Sequence, residues 1–331
     1  MAGSAVGGAE LFYERLVMAQ RRAGDAVLPV MRADPARAAR LVDANPVQLK
    51  FGGLLDLRTR PAVRRALREF APRIAIAWMN RAARLTPRGD WVLAGRLGGY
   101  YDLGYYKRCD HLVGNTRALA SWIVTQGWPA ARVHYLPNFA PDMAGAAPER
   151  LGVPPGVKLV LALGGLHANK GFDVLIRAMA RLPGAHAIIA GQGPEADALA
   201  ALARAEGVDA RVTFPGWRHD TASLLAGCDV LACPSRHEPL GNVVIEAFAA
   251  ARPVVAAAAA GPRELISPGE DGLLVPCDDA EALATSIGLV LDTPAFAHRL
   301  AAAGRAHYDA EFAEAPVLAR WRAFLATAEL A

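Results

Sequence analysis

The sequence predicts an α/β protein of two domains, each built around a parallel sheet. Three observations carry this. Short apolar runs alternate with helical stretches, most regularly in the second half, which is the pattern of strands joined by crossover helices. The chain has 331 residues, 53% of them hydrophobic, enough to enclose two cores. Between the halves, residues 138–155 are rich in Pro, Ala and Gly and read as a linker.

Taken in order, residues 4–8 form a glycine-containing loop, and 9–22 a helix with Leu11, Phe12, Leu16 and Val17 on its apolar face. Such a loop normally follows a strand, yet only Met1 and Ala2 stand where one belongs. The first strand of a doubly wound sheet is central. The expectation is therefore that the first strand is missing or truncated, that an apolar segment of about five residues precedes Met1, and that the amino terminus emerges inside the first sheet beside a strand-wide gap or with a foreshortened central strand.

Strands follow at 26–30 and 47–51, with an Ala/Arg helix after the first. Residues 61–70 form a helix with Pro61 at a tolerated first position, Val63, Leu67 and Phe70 on one side and Arg64, Arg65 and Arg68 on the other. With Arg58, Arg60 and Arg73 this is the densest basic patch of the chain, either a solvated helix face or a membrane-facing one. Strands at 74–78, 91–94, 111–113 and 132–137 complete the first half. Ligands of such sheets sit at the carboxyl ends of strands, which makes Asn80, Arg96, Gly98, Gly99 and Asn115 candidate ligand contacts of this half, the acceptor side under the resemblance given below. Tyr100, Tyr101, Tyr105 and Tyr106 either line a ligand site, a sugar site under the resemblance given below, or pack into the core.

The second half runs strand 159–163, helix 172–181, strand 187–190, helix 195–205, strand 211–214, helix 221–226, strand 229–233 and strand 253–257. Helices at 279–291 and 296–308 and an amphipathic helix near 317–325 close the chain.

Composition excludes several classes. No apolar run approaches the length of a bilayer span, and the start lacks a basic segment followed by an apolar one, so a cytoplasmic protein is expected. Cys109, Cys228, Cys233 and Cys277 lack metal-ligand spacing and read as buried thiols. The net charge of +4 hides an asymmetry: residues 1–150 carry 22 Lys and Arg against 12 Asp and Glu, or +10, and the remainder 14 against 20, or −6. A basic half points to an anionic partner. Nucleic acid lacks a binding motif or interleaved aromatics here, so an anionic membrane surface or a phosphorylated glycolipid fits better.

The chemistry concentrates at 235–248, Ser-Arg-His-Glu-Pro-Leu-Gly-Asn-Val-Val-Ile-Glu-Ala-Phe. A short apolar strand precedes it, Pro239 fixes a loop, and a helix opens at Gly241 and Asn242. The start of a helix without bulky side chains offers N–H groups and the positive end of the dipole to a phosphate. Glu238 and Glu246 flank it, and carboxylates grip sugar hydroxyls, so the arrangement describes a nucleotide sugar. Gly164 and Gly165 end another strand, with Lys170 placed to neutralise a diphosphate. The Gly-Gln-Gly-Pro at 191–194 is not a dinucleotide fingerprint, because Pro194 interrupts it and no third glycine follows.

The 238–246 pair, seven residues between two glutamates, resembles the signature of retaining glycosyltransferases of family 4, which have the GT-B fold of two facing Rossmann-like domains. The likeness extends through the glycine-lysine loop at 164–172, Ala-Gly-Gln-Gly-Pro at 190–194, Val-Thr-Phe-Pro-Gly-Trp at 212–217 and the 261–275 segment. The 96–106 run and the following Cys-Asp-His-Leu-Val-Gly-Asn-Thr-Arg resemble a bacterial branch of lipopolysaccharide core assembly. The resemblance implies an acceptor-side domain over 1–145, a donor domain over 146–305, and a terminal helix, 306–331, crossing back to the first. It implies Glu238 and Lys170 as catalytic residues, and donor contacts from Gly164, Gly165, Lys170, Trp217, Arg218, Gly241, Asn242, Val243 and Glu246. It implies no metal or other cofactor, the nucleotide-diphosphate sugar being a co-substrate. Two departures stand out: Gly165 replaces an arginine that binds the diphosphate in the family, and Arg96-Leu97-Gly98-Gly99 stands where a histidine is frequent. A sugar-nucleotide epimerase of the same fold and a catalytically impaired sugar-nucleotide-binding protein are the competing readings.

Overall fold

The computed structural model describes residues 1–3, 7–52 and 56–329. Most of the glycine loop expected at 4–8 lies outside the described residues. Contacts divide the chain into two units, Met1–Phe139 with Glu314–Ala331, and Ala140–Ala313. The first divide comes earlier than 145/146 because Ala140 and Met143 are buried in the second unit's core. The second comes later than 305/306 because Tyr308 and Phe312 belong to that core too, the Tyr308 hydroxyl donating to Ala140 O at 3.0 Å.

The first unit opens with α1 (Gly8–Arg22), β1 (Val30–Arg32), α2 (Pro35–Arg40), β2 (Val47–Leu49) and α3 (Thr59–Phe70). It continues with β3 (Ile74–Trp78), α4 (Met79–Leu85), β4 (Val92–Leu97), β5 (His111–Gly114), α5 (Arg117–Thr125) and β6 (Val133–Tyr135). β1 and β2 pair in parallel, and β3-β4-β5-β6 form a second, separate parallel sheet. β1 starts at Val30, later than expected, because Pro29 has no N–H to give a ladder; its carbonyl instead accepts from Val47 N at 2.8 Å. The buried Met1 lies against β1, its amine donating to Val30 O at 2.7 Å and its carbonyl accepting from Arg32 N at 2.9 Å. Beside it a cavity of about 180 Å³ is lined by residues of both β1 and β3, among them Val30, Ile74 and Ile76.

Strand alternation sorts the side chains of this unit into two cores. Val92, Ala94 and Val113 face one together with Phe12, Leu16 and Val17 of α1. Leu93 and Leu112 face the other, with Val63 and Leu67 of α3 and Leu119 and Ile123 of α5.

The second unit comprises β7 (Lys158–Leu163), α6 (Phe172–Met179), β8 (Ala185–Ala190), α7 (Ala196–Ala205), β9 (Val212–Thr213), α8 (Thr221–Gly227), β10 (Val230–Cys233) and α9 (Asn242–Ala249). β11 (Val254–Ala257), α10 (Ala260–Leu265), β12 (Leu273–Val275), α11 (Ala280–Asp292) and α12 (Pro294–His307) follow. Its six strands are all parallel, in the order β12-β11-β10-β7-β8-β9. Buried on both faces, β10 and β7 from Leu159 onward are continuous apolar runs, with Val160 and Ala162 turned to one core and Leu159 and Leu161 to the other.

The last helix, α13 (Glu314–Thr327), belongs to the first unit. Trp321 is fully buried there and stacks on Trp78 with ring centroids 6.4 Å apart, while Arg322 pairs with Asp25 at 2.7 Å. Among the described residues no helix is long and apolar enough to cross a membrane. Cys109, Cys228 and Cys233 are buried thiols as expected, but Cys277 is exposed, since it sits in the loop between β12 and α11.

Candidate active site

In the six-stranded sheet the chain runs outward from β7 to β8 and β9, then returns to lay β10 on the other side of β7. This reversal opens a crevice at the carboxyl ends of β7 and β10, the place where open α/β sheets bind ligands. The two loops that leave these strands are the glycine-lysine loop and the 234–241 loop, so topology brings together what the sequence keeps far apart.

The loops are closely fitted. Gly191 lies so near the β7 loop that a Cβ there would sit 1.8 Å from Gly164 O, and Gly171, at φ +65°, would bring one 2.1 Å from Pro234 O. Across the crevice Lys170 Nζ donates to Glu238 Oε2 at 2.5 Å, with Ser235 Oγ 3.3 Å from the same oxygen. Both side chains are largely buried, at 23% and 12% exposure, so cation and carboxylate interact where water screens them poorly. Burial, followed by the nearby Glu238 carboxylate, pushes the Cys233 thiol up to about 11, which leaves it a neutral lining group.

Arg236, which sequence reasoning passed over, holds the loops together. It donates to Ala168 O at 2.6 Å, to Asp173 through two bonds at 2.8 and 2.7 Å, and to Asp278 at 2.5 Å. Its own N–H and that of His237 both bond Asn169 O. Burial works to raise the Asp173 pKa, but the hydrogen bonds from Arg236 and Arg177 win, and the carboxyl sits below its ordinary range. No sequence signal separates such an arginine from a solvated one, because its partners lie on three other segments.

α9 begins directly after this loop, with Gly241 at φ +92° as its N-cap. The first intrahelical bond is made by Val244 N to Gly241 O, so the N–H groups of Gly241, Asn242 and Val243 precede the helix ladder, as a phosphate-binding turn requires. Glu246, half-buried, lies one turn further on. Gly164 and Gly165 line the β7 side, and a Cβ on Gly165 would come within 2.9 Å of the exposed His167 ring. Trp217, 40% exposed, follows β9 with its ring edge-on to His219 at 6.3 Å. Arg218 is engaged in a bidentate pair with Asp220 at 2.9 and 2.6 Å, which raises its pKa.

The acceptor-side candidates lie at the end of or follow β3, β4 and β5 of the first unit's four-stranded sheet. Arg96, at the end of β4, is fully buried and packs over Trp78 at 4.4 Å and Phe12 at 5.1 Å while donating to Asn138 Oδ1 at 2.5 Å. Burial lowers its pKa to about 9. Asn138, itself buried, falls in the stretch that the sequence marks as linker, and a lone Asn in a Pro-rich run gives no other signal. Gly98 and Gly99 adjoin Arg96 and Tyr101. Asn80 accepts from the Tyr106 hydroxyl at 2.8 Å, next to Met79, whose φ of +65° is unusual for a non-glycine residue. Asn115 is buried after β5, its Oδ1 without a hydrogen-bond partner among the described residues. Of the tyrosines, Tyr106 is core, Tyr101 packs against the core, and Tyr100 and Tyr105 are exposed.

A family model for group 1 glycosyl transferases matches residues 157–293. The lipopolysaccharide core biosynthesis glycosyltransferase LpsE of Rhizobium meliloti is 35% identical over 310 residues, 90% of this chain and 89% of the relative. LpsD of the same organism is 33% identical over 320 residues, 93% and 92% of the two chains. Among solved structures, Anabaena Alr3699/HepE in complex with UDP and glucose superposes with a TM-score of 0.85 at 24% identity, covering 99% of this chain and 98% of that one. A glycosyltransferase from Rickettsia africae gives 0.87 at 16% identity over 98% and 96%. The α/β architecture is thus that of GT-B glycosyltransferases, and with full-length relatives above the level at which family is in question, the chain belongs to the group 1 glycosyltransferases.

Proposed function

We propose that the protein transfers a sugar from a nucleoside-diphosphate donor to a hydroxyl of a lipopolysaccharide core or related cell-surface glycan, with retention at the anomeric carbon. The observation that carries this reading is the Lys170–Glu238 contact at the crevice between β7 and β10. One side of the contact suits the charge of a departing diphosphate, the other the positive charge that develops on the sugar.

As the bond between anomeric carbon and diphosphate oxygen breaks, Lys170 and the N–H groups at the start of α9 take up charge on the leaving group. Glu238 faces the sugar, and Glu246 holds the ribose hydroxyls. This scheme assigns charge neutralisation to protein groups and is metal-independent. The acceptor assignment is supported by the near full-length likeness to LpsE and LpsD, and the acceptor-side residues are Arg96, Gly98, Gly99, Asn80 and Asn115. The basic first half supports placement in the cytoplasm, peripheral to an anionic membrane face.

The test is a panel of nucleotide sugars screened by thermal shift, where a donor at a hundred times its Kd adds about 2.7 kcal/mol. Donors that bind are then incubated with and without glycan acceptor. Acceptor-dependent release of the nucleoside diphosphate, undiminished by EDTA and with the donor's anomeric configuration kept in the product, supports the proposal. Epimerised donor without an acceptor refutes it.

A further inference from the structure

The first unit carries a second concavity, on the outer side of α3. Its volume is about 650 Å³, within the range of small-ligand sites. Six arginines line it: Arg60, Arg64, Arg65 and Arg68 of α3, Arg84 of α4, and Arg108 after the tyrosine turn. Only two carboxylates share the lining, Asp56 and Glu69, and both are engaged. Asp56 accepts from the backbone of Gly52, Arg58 and Thr59 and from the Thr59 hydroxyl, and Glu69 lies 3.8 Å from Arg65. Among the described residues Arg60, Arg64, Arg68, Arg84 and Arg108 have no carboxylate partner.

Stability does not account for this arrangement. Arg60, Arg64 and Arg68 are spaced i, i+4, i+8 on one helix face, where like charges repel, and Arg60 occupies a first helical turn that has no acidic residue and is disfavoured for cations. Burial, then the Arg108 and Arg64 charges, lowers the Arg60 pKa. Arg84 and Arg108 are tied to each other through the backbone, Arg108 Nη1 donating to Arg84 O at 3.0 Å, so a second element turns charge toward the same space. At the rim Leu57 is 84% exposed, beside the exposed Pro61. An apolar side chain standing free next to a cation cluster suits a lipid surface better than a soluble anion.

We propose that this concavity is a headgroup site for a lipid carrying two phosphate groups, which the arginine forks grip while Leu57 enters the acyl boundary of the bilayer. The proposal rests on the membrane reading given above and deepens it: the contact is a discrete pocket, not a diffuse basic face. Guanidinium forks bind phosphate bidentately, and a cluster from two sides matches two phosphates better than one.

The test is co-sedimentation of the full chain with three vesicles: phosphatidylcholine alone, phosphatidylcholine with phosphatidylglycerol, and phosphatidylcholine with phosphatidylinositol 4-phosphate at the same total lipid charge. The expected result is no binding to the first and at least about fivefold tighter binding to the third than to the second. The double variant Arg60→Ser/Arg84→Ser should lose that preference, whereas Arg58→Ser/Lys107→Ser, which removes equal charge outside the cavity, should keep it. Thermal melting of both variants separates lost binding from lost folding, and Leu57→Ser, an exposed change, should weaken vesicle binding without altering melting. Equal binding to the two anionic vesicles overturns the headgroup site and leaves the membrane reading standing. Binding to neither overturns both, and displacement from the third vesicle by inorganic pyrophosphate at equal phosphate concentration overturns the lipid as ligand.

Discussion

Lys170 Nζ and Glu238 Oε2 are 2.5 Å apart although 68 residues separate them in the chain. Each side chain fixes the other, and under the proposed function the donor diphosphate and sugar meet this pair of charges. Replacing either leaves a largely buried charge without its partner. Lys170→Ala and Glu238→Ala should each lower kcat by roughly 10²–10³ with small changes in KM. The double variant should fall short of the product of the single losses, with a coupling of about 0.5–3 kcal/mol. Glu246→Ala should instead raise the donor Kd, because ribose contacts act in ground and transition states alike. Steady-state kinetics and donor titration of the four variants check the assignment, and near-normal donor affinity in Glu246→Ala would refute its role.

Gly165→Arg should tighten donor binding by adding a bidentate phosphate donor at the β7 loop. A Cβ at this position meets the His167 ring at 2.9 Å, but that ring is exposed and can turn aside. The double variant Gly165→Arg/His167→Ala should therefore bind the donor at least as well as the single one. Weaker binding in both would show that the loop no longer has room for an arginine.

Arg236 acts through the loops it fastens. Arg236→Ala should reduce kcat/KM by about 10–100-fold while melting falls by only a few degrees, since its pairs are partly exposed. Arg236→Lys keeps the charge but cannot span Asp173, Asp278 and Ala168 O together, and should recover only part of the activity. Full activity in Arg236→Ala would remove the clamp from the account.

The first unit should lose stability in mild acid through His134. Burial, followed by the neighbouring His111, lowers its pKa from 6.5 to about 4. The unfolded chain therefore binds the proton more readily than the native one between these values. The stabilisation is complete above pH 6.5 and is lost as pH falls toward 4. The ring is only half-buried, so the effect is discounted to about 1 kcal/mol, or roughly 2–4 °C in Tm. Melting curves between pH 7.5 and 4.5 should be flatter for His134→Phe than for the parent chain, and equal slopes would exclude His134 as the source.

The second unit was legible because its sheet is buried on both faces, so that β10, β11 and β7 from Leu159 onward are uninterrupted apolar runs and the crossover helices carry their own periodicity. Gly171 and Gly191 mark the crevice for a related reason: backbone crosses backbone there too closely for a Cβ, whereas Gly165 meets only the exposed His167 side chain. What escaped has equally local causes. β12 has three residues, too few for a pattern, and α4 begins without a break from β3 through the left-handed Met79. Asn138 and Arg236 do their work through partners on other segments, 42 to 68 residues away, so their neighbours in sequence say nothing about them.

The stacking of Trp321 on Trp78 has a bearing on how the protein is made. The second unit is one continuous stretch, Ala140–Ala313, whereas the first needs residues from both sides of it. On the ribosome, Trp78 emerges more than two hundred residues ahead of its partner, a delay of roughly 10–50 s at about 5–20 residues per second. Throughout that interval the aromatic face formed by Phe12, Tyr13 and Trp78 has no α13 to cover it. The later-synthesised unit can therefore reach its final packing before the earlier one, and the nascent chain presents a long-lived apolar surface to whatever chaperones attend translation.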